Sequence, residues 1–432
     1  MRRSKAATCS RALLLAPLII AVCGIFALLL YLPTPLRLSA LPEADFIDPR
    51  YGYSADSACR ADPPQRPPES RPRACAALVM AAMRTARKAR VEASVIIISH
   101  GEAGCALRRT LLTVGMRTPA ALLREVIVLD DASEFSAEDA VAEAGGLDSK
   151  VWLPVSWMRS TSRLGVVRAR MAAARAAKAD VLAFLDAHCE PQVGWLPPLL
   201  ALLVESPRAV ALPVIESIDR RSWEYRPAPM PEHPPRGVLT GWNLTFGWTH
   251  LSASERAERE ASALGVLAPM PAPIMAGGVY AIDREWFFES GGYDEGLEIW
   301  GVENVEMSLR VWSCGGALYT LPCSRVGHVF RSFKPFSWPN RSGALQVLAN
   351  ARRVAAVWMD EAESLVVTSG GGGGDGGNAG RMLTRELADD ASLNERRTLR
   401  LILGCSPFRW FLEHVYPDHP PLPEGFRWRG AS

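Results

Sequence analysis

Three short apolar runs, each followed by polar residues, constrain the fold of this chain more than any other feature of its sequence. The runs are ASVIIIS (93–99), REVIVLDDAS (124–133) and DVLAFLDAHCE (180–190), and helix-forming segments separate them. Continuous apolar runs of this length are typical of strands buried on both faces, and strand–helix–strand order indicates a parallel sheet. We therefore predict an α/β domain.

Further strand and helix patterns continue toward the carboxyl end of the chain. They follow without a second linker, so we expect one large domain over 75–432. A Gly-rich stretch near 369–380 is expected to form a flexible loop within it. The later patterns are the apolar runs AVALPVIESI (209–218) and APIMAGGVYAID (272–283), the helical GVENVEMSLRVWSCGG (301–316) and the strand ALYTLPCSRVGH (317–328).

The charge balance argues against a nucleic-acid partner. The 432 residues include 48 Lys and Arg and 46 Asp and Glu, which gives a formal net charge of +2. Sequence-independent binding to nucleic acid relies on a strong positive field, and this balance does not supply one. Apolar residues make up 48% of the chain, so a large buried core is expected.

The first 32 residues have the pattern of a membrane anchor. Residues 12–32, ALLLAPLIIAVCGIFALLLYL, are uncharged and, as a helix, long enough to cross about 30 Å of hydrocarbon. Four basic residues and no acidic ones precede them in 1–11, which predicts a cytosolic tail and a type II topology. A cleaved signal peptide is the alternative, but its apolar region is usually only about 7 to 15 residues long.

Residues 33–74 are expected to form an extended stem, because they are rich in Pro and lack apolar periodicity. The chain has nine cysteines, of which Cys9 and Cys23 lie in the tail and the anchor, so seven would lie in an oxidising lumen. Disulfides are the expected state of cysteines there. An odd number leaves at least one cysteine unpaired or paired with another chain.

Two predicted strand ends carry residues suited to binding a divalent cation. Asp186 and His188 follow an apolar run in a D-x-H pattern, so both side chains can reach one ion. His328 ends the last strand pattern, and Arg331 follows it. Because open parallel sheets bind ligands at the carboxyl ends of their strands, we predict a Mn²⁺-like ion here, held against a diphosphate. Taken alone, the D-x-H pattern is more often a strand-end turn with a surface histidine.

Two other segments are candidates for contacting a ligand. Trp300, Glu303 and Asn304 surround the start of a predicted helix, where an indole and polar groups can contact a sugar ring and its hydroxyls. Helix capping by Glu303 and burial of Trp300 are the alternative interpretation. The Ala-Gly-Gly segment at 276–278 would let the backbone approach a ligand closely, although such pairs more often mark a turn.

In this order, long segments of the chain resemble the polypeptide N-acetylgalactosaminyltransferase family. That family starts mucin-type O-glycosylation by moving N-acetylgalactosamine (GalNAc) from UDP-GalNAc to Ser or Thr. The resemblance spans about residues 71–418. It implies a GT-A fold with a Rossmann-like nucleotide-sugar-binding domain, a type II Golgi location and retention of anomeric configuration. Its most specific segments are FLDAHCE (184–190), PIMAGGVYAID (273–283), GLEIWGVENVEMSLRVWSCGG (296–316), LPCSRVGHVFR (321–331), VAAVWMDE (354–361) and FRWFLEHVYP (408–417).

The resemblance implies roles for residues on the donor side. Asp186, His188 and His328 would hold Mn²⁺ against the diphosphate of UDP, with the ion acting as a Lewis acid for the leaving group. Arg331 would clamp a phosphate from a mobile loop that runs to about residue 338. The residues that would line the nucleotide are Asp130 or Asp131 at the uridine, Arg163 and Gly165 of an R-x-G segment, and Ala276, Gly277 and Gly278.

On the acceptor side, the resemblance implies a Ser/Thr-containing polypeptide. Glu303 and Asn304 would hold GalNAc near its anomeric carbon, and Trp300 would pack beside donor and acceptor. The disulfides implied by the family pattern are Cys75–Cys323 and Cys314–Cys405.

The chain also departs from the family pattern. Ile98, Ser99 and Gly101 replace residues of the family's T-F-H-N-E segment, and Leu164 stands where an acidic residue is usual. Two alternatives follow: a GT-A transferase with a different UDP-sugar donor or acceptor, and a catalytically silent, membrane-tethered binding protein of the same fold. We see no Q-x-W-type repeats after the domain, so a C-terminal ricin-like lectin domain is not expected.

Overall fold

The computed structural model describes residues 46–228, 232–334, 336–369, 387 and 390–428, with side chains up to residue 366 in the segment that ends at 369. The predicted tail, the predicted anchor, the beginning of the predicted stem and all but the first residue of the Gly-rich stretch lie outside these residues. Within the described part of the chain, no helix is both long and apolar enough to span a membrane.

Most strands in the described residues belong to one sheet, and each of the first three apolar runs (93–99, 124–133 and 180–190) overlaps a strand of that sheet. The strands are β1 (Ala93–Ser99), β2 (Leu123–Asp131), β3 (Val155–Ser160), β4 (Val181–Asp186), β5 (Cys189–Pro191), β6 (Ala209–Ile218), β7 (Tyr225–Arg226), β8 (Arg236–Leu239), β9 (Phe246–Thr249), β10 (Met270–Pro271), β11 (Tyr280–Asp283) and β12 (Ala317–Val329).

The sheet is mixed, and its order is β10-β12-β6-β11-β4-β1-β2-β3. The neighbours β4, β1, β2 and β3 are parallel, and β6 is parallel to β12. Between these two groups, β11 pairs antiparallel with both β4 and β6. The short strands β8 and β9 form a separate hairpin. The predicted α/β class is confirmed, and the antiparallel β11 is a feature that the apolar runs did not indicate.

Helices lie on both faces of the sheet. They are α1 (Ala55–Cys59), α2 (Cys75–Ala89), α3 (Gly104–Arg117), α4 (Ala137–Glu143), α5 (Val166–Ala176), α6 (Leu196–Glu205), α7 (Ala253–Ala261), α8 (Arg284–Glu289), α9 (Glu303–Ser313), α10 (Gly343–Trp358), α11 (Glu363–Ser369), α12 (Ala391–Ile402) and α13 (Phe408–His414). Short 3₁₀ turns lie at Ala120–Leu122, Gly265–Leu267 and Asp360–Ala362.

Alternating side chains of the central strands supply two cores, one on each face of the sheet. In β1, Ile96 packs in the core formed with α5, α9 and α10, whereas Val95 and Ile97 pack in the core formed with α2, α3 and α6. Both cores are continuous with buried residues of β2 and β4. Because the central strands are covered on both faces, their side chains are apolar at successive positions, which explains the continuous runs in the sequence.

Three disulfides connect distant parts of the described chain. Cys75–Cys323 and Cys314–Cys405 are the two pairs that the family resemblance implied, and both are confirmed. The third pair, Cys59–Cys105, was not predicted and joins α1 to α3. Cys189 is buried and has no disulfide partner among the described residues. Since Cys59 lies within 33–74, this part of the predicted stem is attached to the α/β domain.

Candidate active site

The D-x-H pattern and the last strand converge at one edge of the sheet. Asp186 ends β4, a turn carries His188, and β5 begins directly afterwards. Because β5 pairs antiparallel with β12, His328 is placed opposite Cys189, one residue beyond His188. One potential ligand atom from each of Asp186, His188 and His328 lies within 4.8 Å of the others. These three residues are called the Asp-His-His cluster below.

The Asp-His-His cluster carries a donor set suited to Mn²⁺. It offers one carboxylate and two imidazoles, a mixed oxygen and nitrogen shell that such an ion accepts. His328 Nε2 lies 3.2 Å from Asp186 Oδ2, and the two imidazole centroids are 4.8 Å apart. His328 Nδ1 is buried without a hydrogen-bond partner in the described part of the chain, so protein contacts hold this ring through Nε2 alone. The residues present therefore fit a bound divalent cation.

The cluster's carboxylate is kept ionised by its surroundings. Burial alone would raise the pKa of Asp186, but the hydrogen bond with His328 and the charge of Arg170 outweigh it and hold the pKa well below its usual range. Arg170 Nη2 lies 3.3 Å from Asp186 Oδ1. Burial and the charge of Arg331 lower the pKa of His188, which favours the neutral imidazole that metal coordination requires.

Glu102 supports the cluster from behind. Its Oε2 lies 3.0 Å from His188 Nδ1 and accepts a hydrogen bond from Arg331 Nη2 at 2.5 Å. When Nδ1 of His188 is protonated and donates to Glu102, Nε2 keeps the lone pair needed for a metal ion. Burial would raise the pKa of Glu102, but the charge of Arg331 and the contact with His188 lower it to about 2. Arg331, predicted as a phosphate clamp, thus lies beside the cluster and pairs with Glu102.

The glycine pair within the 272–283 run lies against both groups of predicted site residues. A Cβ atom on Gly278 would lie 2.1 Å from Asp186 Oδ2, and a Cβ atom on Gly277 would lie 2.7 Å from Asn304 Cβ. Gly277 also has φ +88°, which favours glycine. Ala276 precedes the pair and lines a neighbouring cavity. The structure shows close approach of this backbone to the side chains of Asp186 and Asn304, and close approach to a ligand stays a prediction.

Glu303 and Asn304 begin helix α9 beside the cluster. Glu303 Oε2 accepts a hydrogen bond from Gly301 N at 2.9 Å, in the loop before the helix. Glu303 Oε1 lies 3.8 Å from Arg170 Nη1, and Asn304 Nδ2 donates to the carbonyl of Met275 at 2.9 Å. Arg170 therefore contacts carboxylates of both predicted site segments.

Trp300 lies in the loop before α9 and is half-buried. Lys334 Nζ lies 3.4 Å from the centroid of its ring, and the ring of Phe336 lies 6.2 Å away. Burial lowers the pKa of Lys334, against the opposing charge of Glu303. Trp300 thus contacts the loop that follows Arg331. It is partly exposed, so it is not the fully buried core residue of the alternative interpretation.

The two aspartates at the end of β2 have different surroundings. Both carboxylate oxygens of Asp131 hold the R-x-G segment, because they accept hydrogen bonds from Leu164 N at 2.6 Å and Gly165 N at 2.9 Å and from the side chain of Arg163. Asp130 accepts hydrogen bonds from backbone N–H groups of Ser133 and Ala137 in its own turn. In this structure both carboxylates organise backbone, so a direct contact with a uridine stays a prediction.

Gly165 connects the R-x-G segment to the loop that carries Trp300. It has φ +82°, and a Cβ atom there would lie 2.6 Å from Ile299 Cα. The next residue, Val166, donates its N–H to the carbonyl of Ile299 at 2.8 Å. The predicted nucleotide segment and the predicted sugar segment are therefore in direct backbone contact.

A cavity of about 520 Å³ is linked to the Asp-His-His cluster through Phe330, although none of the three cluster residues lines it. The ring of Phe330 forms part of its wall and lies 4.7 Å from the ring of His328, centroid to centroid. Ile215 and Trp248 add apolar surface, whereas Arg226 adds a positive charge. The cavity thus has the mainly apolar lining with a few polar groups that is typical of a ligand site.

Sequence reasoning missed Glu102 and Arg170 as site residues. Glu102 follows β1 in the same way that Asp131 ends β2, so the rule that polar residues after buried strands lie at the ligand edge would have found it. Arg170 gave no such signal, because a basic residue in an Ala-rich helix is ordinarily solvated.

Two family models match the chain in tandem. "Glycosyl transferase family 2" matches residues 94–258, and "N-terminal domain of galactosyltransferase" matches residues 264–334. All the predicted site residues lie within these two ranges. Together with the mixed sheet, the matches assign the domain the GT-A fold found in glycosyltransferases.

Individual relatives are more specific. Polypeptide N-acetylgalactosaminyltransferase 13 from Homo sapiens is 40% identical over 326 residues, which cover 75% of this chain and 54% of the relative. Polypeptide N-acetylgalactosaminyltransferase 3 from Drosophila melanogaster is 41% identical over 339 residues, covering 77% of this chain and 47% of the relative. The crystal structure of GalNAc-T7 with UDP, GalNAc and Mn²⁺ is 29% identical with a TM-score of 0.69, covering 85% of this chain and 64% of that one.

These comparisons confirm the resemblance inferred from the motifs. Over three quarters of its length, the chain is homologous to the polypeptide N-acetylgalactosaminyltransferases. It spans about half the length of the curated relatives that it matches.

Proposed function

We propose that this chain is a Mn²⁺-dependent, retaining glycosyltransferase that moves GalNAc from UDP-GalNAc to Ser or Thr hydroxyls of polypeptides. The observation that carries the proposal is the Asp-His-His cluster at the strand ends, joined through Arg170 to Glu303 at the start of α9. One site thus combines cation ligands with groups suited to a sugar. Identity of about 40% to named transferases supports the choice of donor and acceptor.

In the proposed mechanism, Asp186, His188 and His328 would hold Mn²⁺. When bound, the ion would act as a Lewis acid that neutralises charge on the departing diphosphate. Arg331, which donates a hydrogen bond to Glu102, would neutralise part of the negative charge of the diphosphate. Asp130 or Asp131 would bind the uridine, and Arg163 and Gly165 would line the nucleotide beside it. This assignment places the nucleotide along the edge of β1, β2 and β4.

The sugar would lie beside the glycine pair and the start of α9, which contact each other. We assign Glu303 and Asn304 to GalNAc hydroxyls, with Trp300 covering an apolar face of the ring. Glu303 already accepts an N–H from Gly301 and lies against Arg170, so it is suited to hold a hydroxyl. Retention of configuration is the property that the family resemblance implies, and the leaving phosphate can take the acceptor proton without a protein base.

We propose that the polypeptide acceptor binds in the cavity lined by Phe330. Its wall includes Phe330, which contacts His328, and Ala276, which precedes the glycine pair. An acceptor bound there would lie near the site assigned to the sugar, as proximity catalysis requires. The apolar walls formed by Ile215, Trp248 and Phe330 suit a polypeptide with small apolar residues around the reacting Ser or Thr.

We also propose that the chain is a single-pass type II protein of the Golgi membrane with the catalytic domain in the lumen. The uncharged run at 12–32 and the basic residues before it support the anchor and its orientation. The disulfides Cys59–Cys105, Cys75–Cys323 and Cys314–Cys405 support an oxidising compartment.

The experiment that tests the proposal measures transfer by the full chain, purified in detergent, from UDP-GalNAc to a Thr-rich peptide. We expect transfer with Mn²⁺ and none after chelation with EDTA. Faster transfer from another UDP-sugar would overturn the choice of donor. Absence of transfer, together with no rise in melting temperature on adding UDP and Mn²⁺, would overturn the enzymatic proposal in favour of a silent binding protein.

A further inference from the structure

A short segment ahead of the α/β domain contacts the site directly. Residues 48–62, called the N-terminal strap below, fall within the predicted stem and before the start of the family resemblance at about residue 71. In the structure the strap forms a tight turn, in which Gly52 N donates to the carbonyl of Asp48 at 2.8 Å and Asp48 N donates to the carbonyl of Tyr53 at 3.0 Å. Helix α1 follows this turn.

The strap holds the loop that carries Arg331. Arg331 Nη1 donates to the carbonyl of Tyr51 at 3.1 Å, and Ser332 N donates to the carbonyl of Gly52 at 3.0 Å. A Cβ atom on Gly52 would lie 3.1 Å from the carbonyl oxygen of Phe333, which shows how closely the two backbones approach. The predicted phosphate clamp is therefore fixed to the strap at several points.

Tyr53 links the strap to the cluster itself. Its side chain is fully buried, and its hydroxyl donates to Oε1 of Glu102. The other oxygen of Glu102 contacts His188 and Arg331. The ring of Tyr53 also lies under the guanidinium of Arg331, 5.4 Å from its centroid to Cζ. One residue of the strap thus orients the carboxylate on which two predicted site residues depend.

The strap is also anchored to the domain after Tyr53. Ser54 N donates to the carbonyl of Arg220 at 2.8 Å, and Trp223 Nε1 donates to the carbonyl of Ser54 at 2.8 Å. Farther along, the Cys59–Cys105 disulfide ties α1 to α3. Beyond the disulfide, Asp62 pairs with Arg108 of the same helix. These attachments hold the Tyr53 hydroxyl in place.

We propose that the N-terminal strap is a part of the active site and that Tyr53 is a positioning residue, which orients Glu102 and through it His188 and Arg331 for binding of UDP with Mn²⁺. The proposal rests on the proposed function for the identity of this ligand. The active site then includes residues of the N-terminal strap, which precede the family resemblance at residues 71–418. Groups that orient metal ligands from behind typically change metal affinity or activity by about 10–100-fold.

The test compares Tyr53→Phe with the wild type in the full chain. This change removes only the hydroxyl and keeps the ring under Arg331. The matched control is Tyr416→Phe, which removes a buried hydroxyl that donates to the carbonyl of Leu239 at 3.0 Å, away from the Asp-His-His cluster. One readout is the Kd of UDP in the presence of Mn²⁺. The other is hydrogen exchange at Ser332 N–H, measured without metal or nucleotide.

We expect Tyr53→Phe to weaken UDP binding about tenfold and to speed exchange at Ser332, whereas Tyr416→Phe leaves both close to wild type. If Tyr53→Phe does not fold, Gly52→Ala serves instead, since its Cβ would push against the backbone of Phe333 without touching the Tyr53 hydroxyl. A folded Tyr53→Phe or Gly52→Ala variant with unchanged UDP affinity would overturn the inference. Failure of the wild type to bind UDP would overturn the proposed function instead.

Discussion

Arg170 lies 3.3 Å from Asp186 and joins the end of β4 to the start of α9, because the same guanidinium lies 3.8 Å from Glu303. Its side chain is only 5% exposed, so the two carboxylates are held together by a buried positive charge. Arginine suits this position, since its planar fork presents several donors in fixed directions. Arg170 therefore connects the Asp-His-His cluster to Glu303, one of the residues proposed to contact the sugar.

Replacing Arg170 with Lys should therefore impair the site although the charge is kept. A single ammonium cannot contact both Asp186 and Glu303 as a guanidinium does. We therefore expect activity to fall by about tenfold or more. The melting temperature should fall by several degrees, because a buried ion pair is weakened. Enzyme assay and thermal unfolding check this. The control is Arg175→Lys in the same helix, whose pair with Glu295 is exposed and should contribute little.

Gly277→Ala should move Asn304 and lower activity. A methyl group at Gly277 would lie 2.7 Å from Asn304 Cβ, and the φ of +88° adds backbone strain of about 1 kcal/mol. Gly146→Ala separates the two effects, because Gly146 has φ +66° but no atom within 4 Å of the added Cβ. We expect both variants to lose some stability in thermal unfolding and only Gly277→Ala to lose transfer. Equal transfer by the two variants would argue against a role for Asn304.

His328→Ala and Asp186→Asn should abolish Mn²⁺-dependent transfer while leaving the chain folded. Asp186→Asn should also lower the melting temperature by several degrees, because it removes a charged partner of the buried Arg170. Both residues lie at the edge of the sheet and are partly exposed, and neither belongs to the two apolar cores. Circular dichroism and Mn²⁺ binding measured by electron paramagnetic resonance check the two halves of this prediction. His414→Ala, on the exposed surface of α13, is the control and should bind Mn²⁺ as the wild type does. Transfer at the wild-type rate by either cluster variant would remove it from the ligand set.

Glu306 provides a test of stability against pH away from the site. Burial alone would raise its pKa, but the charges of Arg310 and Arg396 outweigh burial and lower it. A carboxyl group with a lowered pKa in the folded state stabilises the protein above its ordinary value of 4.5 and loses that contribution as pH falls below it. We expect the free energy of unfolding of the wild type to decline in that acidic range.

In Glu306→Gln, the two arginines lose their charged partner, so we expect a loss of about 3–5 kcal/mol near neutral pH and a weaker decline in acid. Denaturant unfolding at several pH values measures both. Glu413→Gln is the matched control, because its pair with Arg409 is about half exposed on both sides. An acid profile of Glu306→Gln that parallels the wild type would contradict the assignment.

Much of the fold could be predicted because the central strands are visible in the sequence as continuous apolar runs. A strand covered on both faces must be apolar at successive positions, and the residues after it must be polar, so the runs that contain β1, β2 and β4 also indicated the ligand edge. The sequence did not indicate β11 as an antiparallel insert between β4 and β6, since four residues are too few to show a direction.

The parts of the site that could not be predicted depend on contacts between distant segments. Tyr53 lies in a Pro-containing stretch without periodicity, and its place beside Glu102 is set by anchors at Arg220, Trp223 and Cys105. Arg170 lies on a helix whose pattern shows only which face is apolar. The D-x-H pattern and the glycine pair were interpretable because each imposes a local geometry, whereas Tyr53 and Arg170 acquire their roles through tertiary packing alone.

A crystal structure of the domain with UDP and Mn²⁺ tests the central claim most directly, with anomalous scattering used to locate the metal. The account predicts one manganese peak within coordination distance of Asp186, His188 and His328, with the diphosphate on its open side. A manganese peak bound by other residues, or UDP bound away from this cluster, would contradict it.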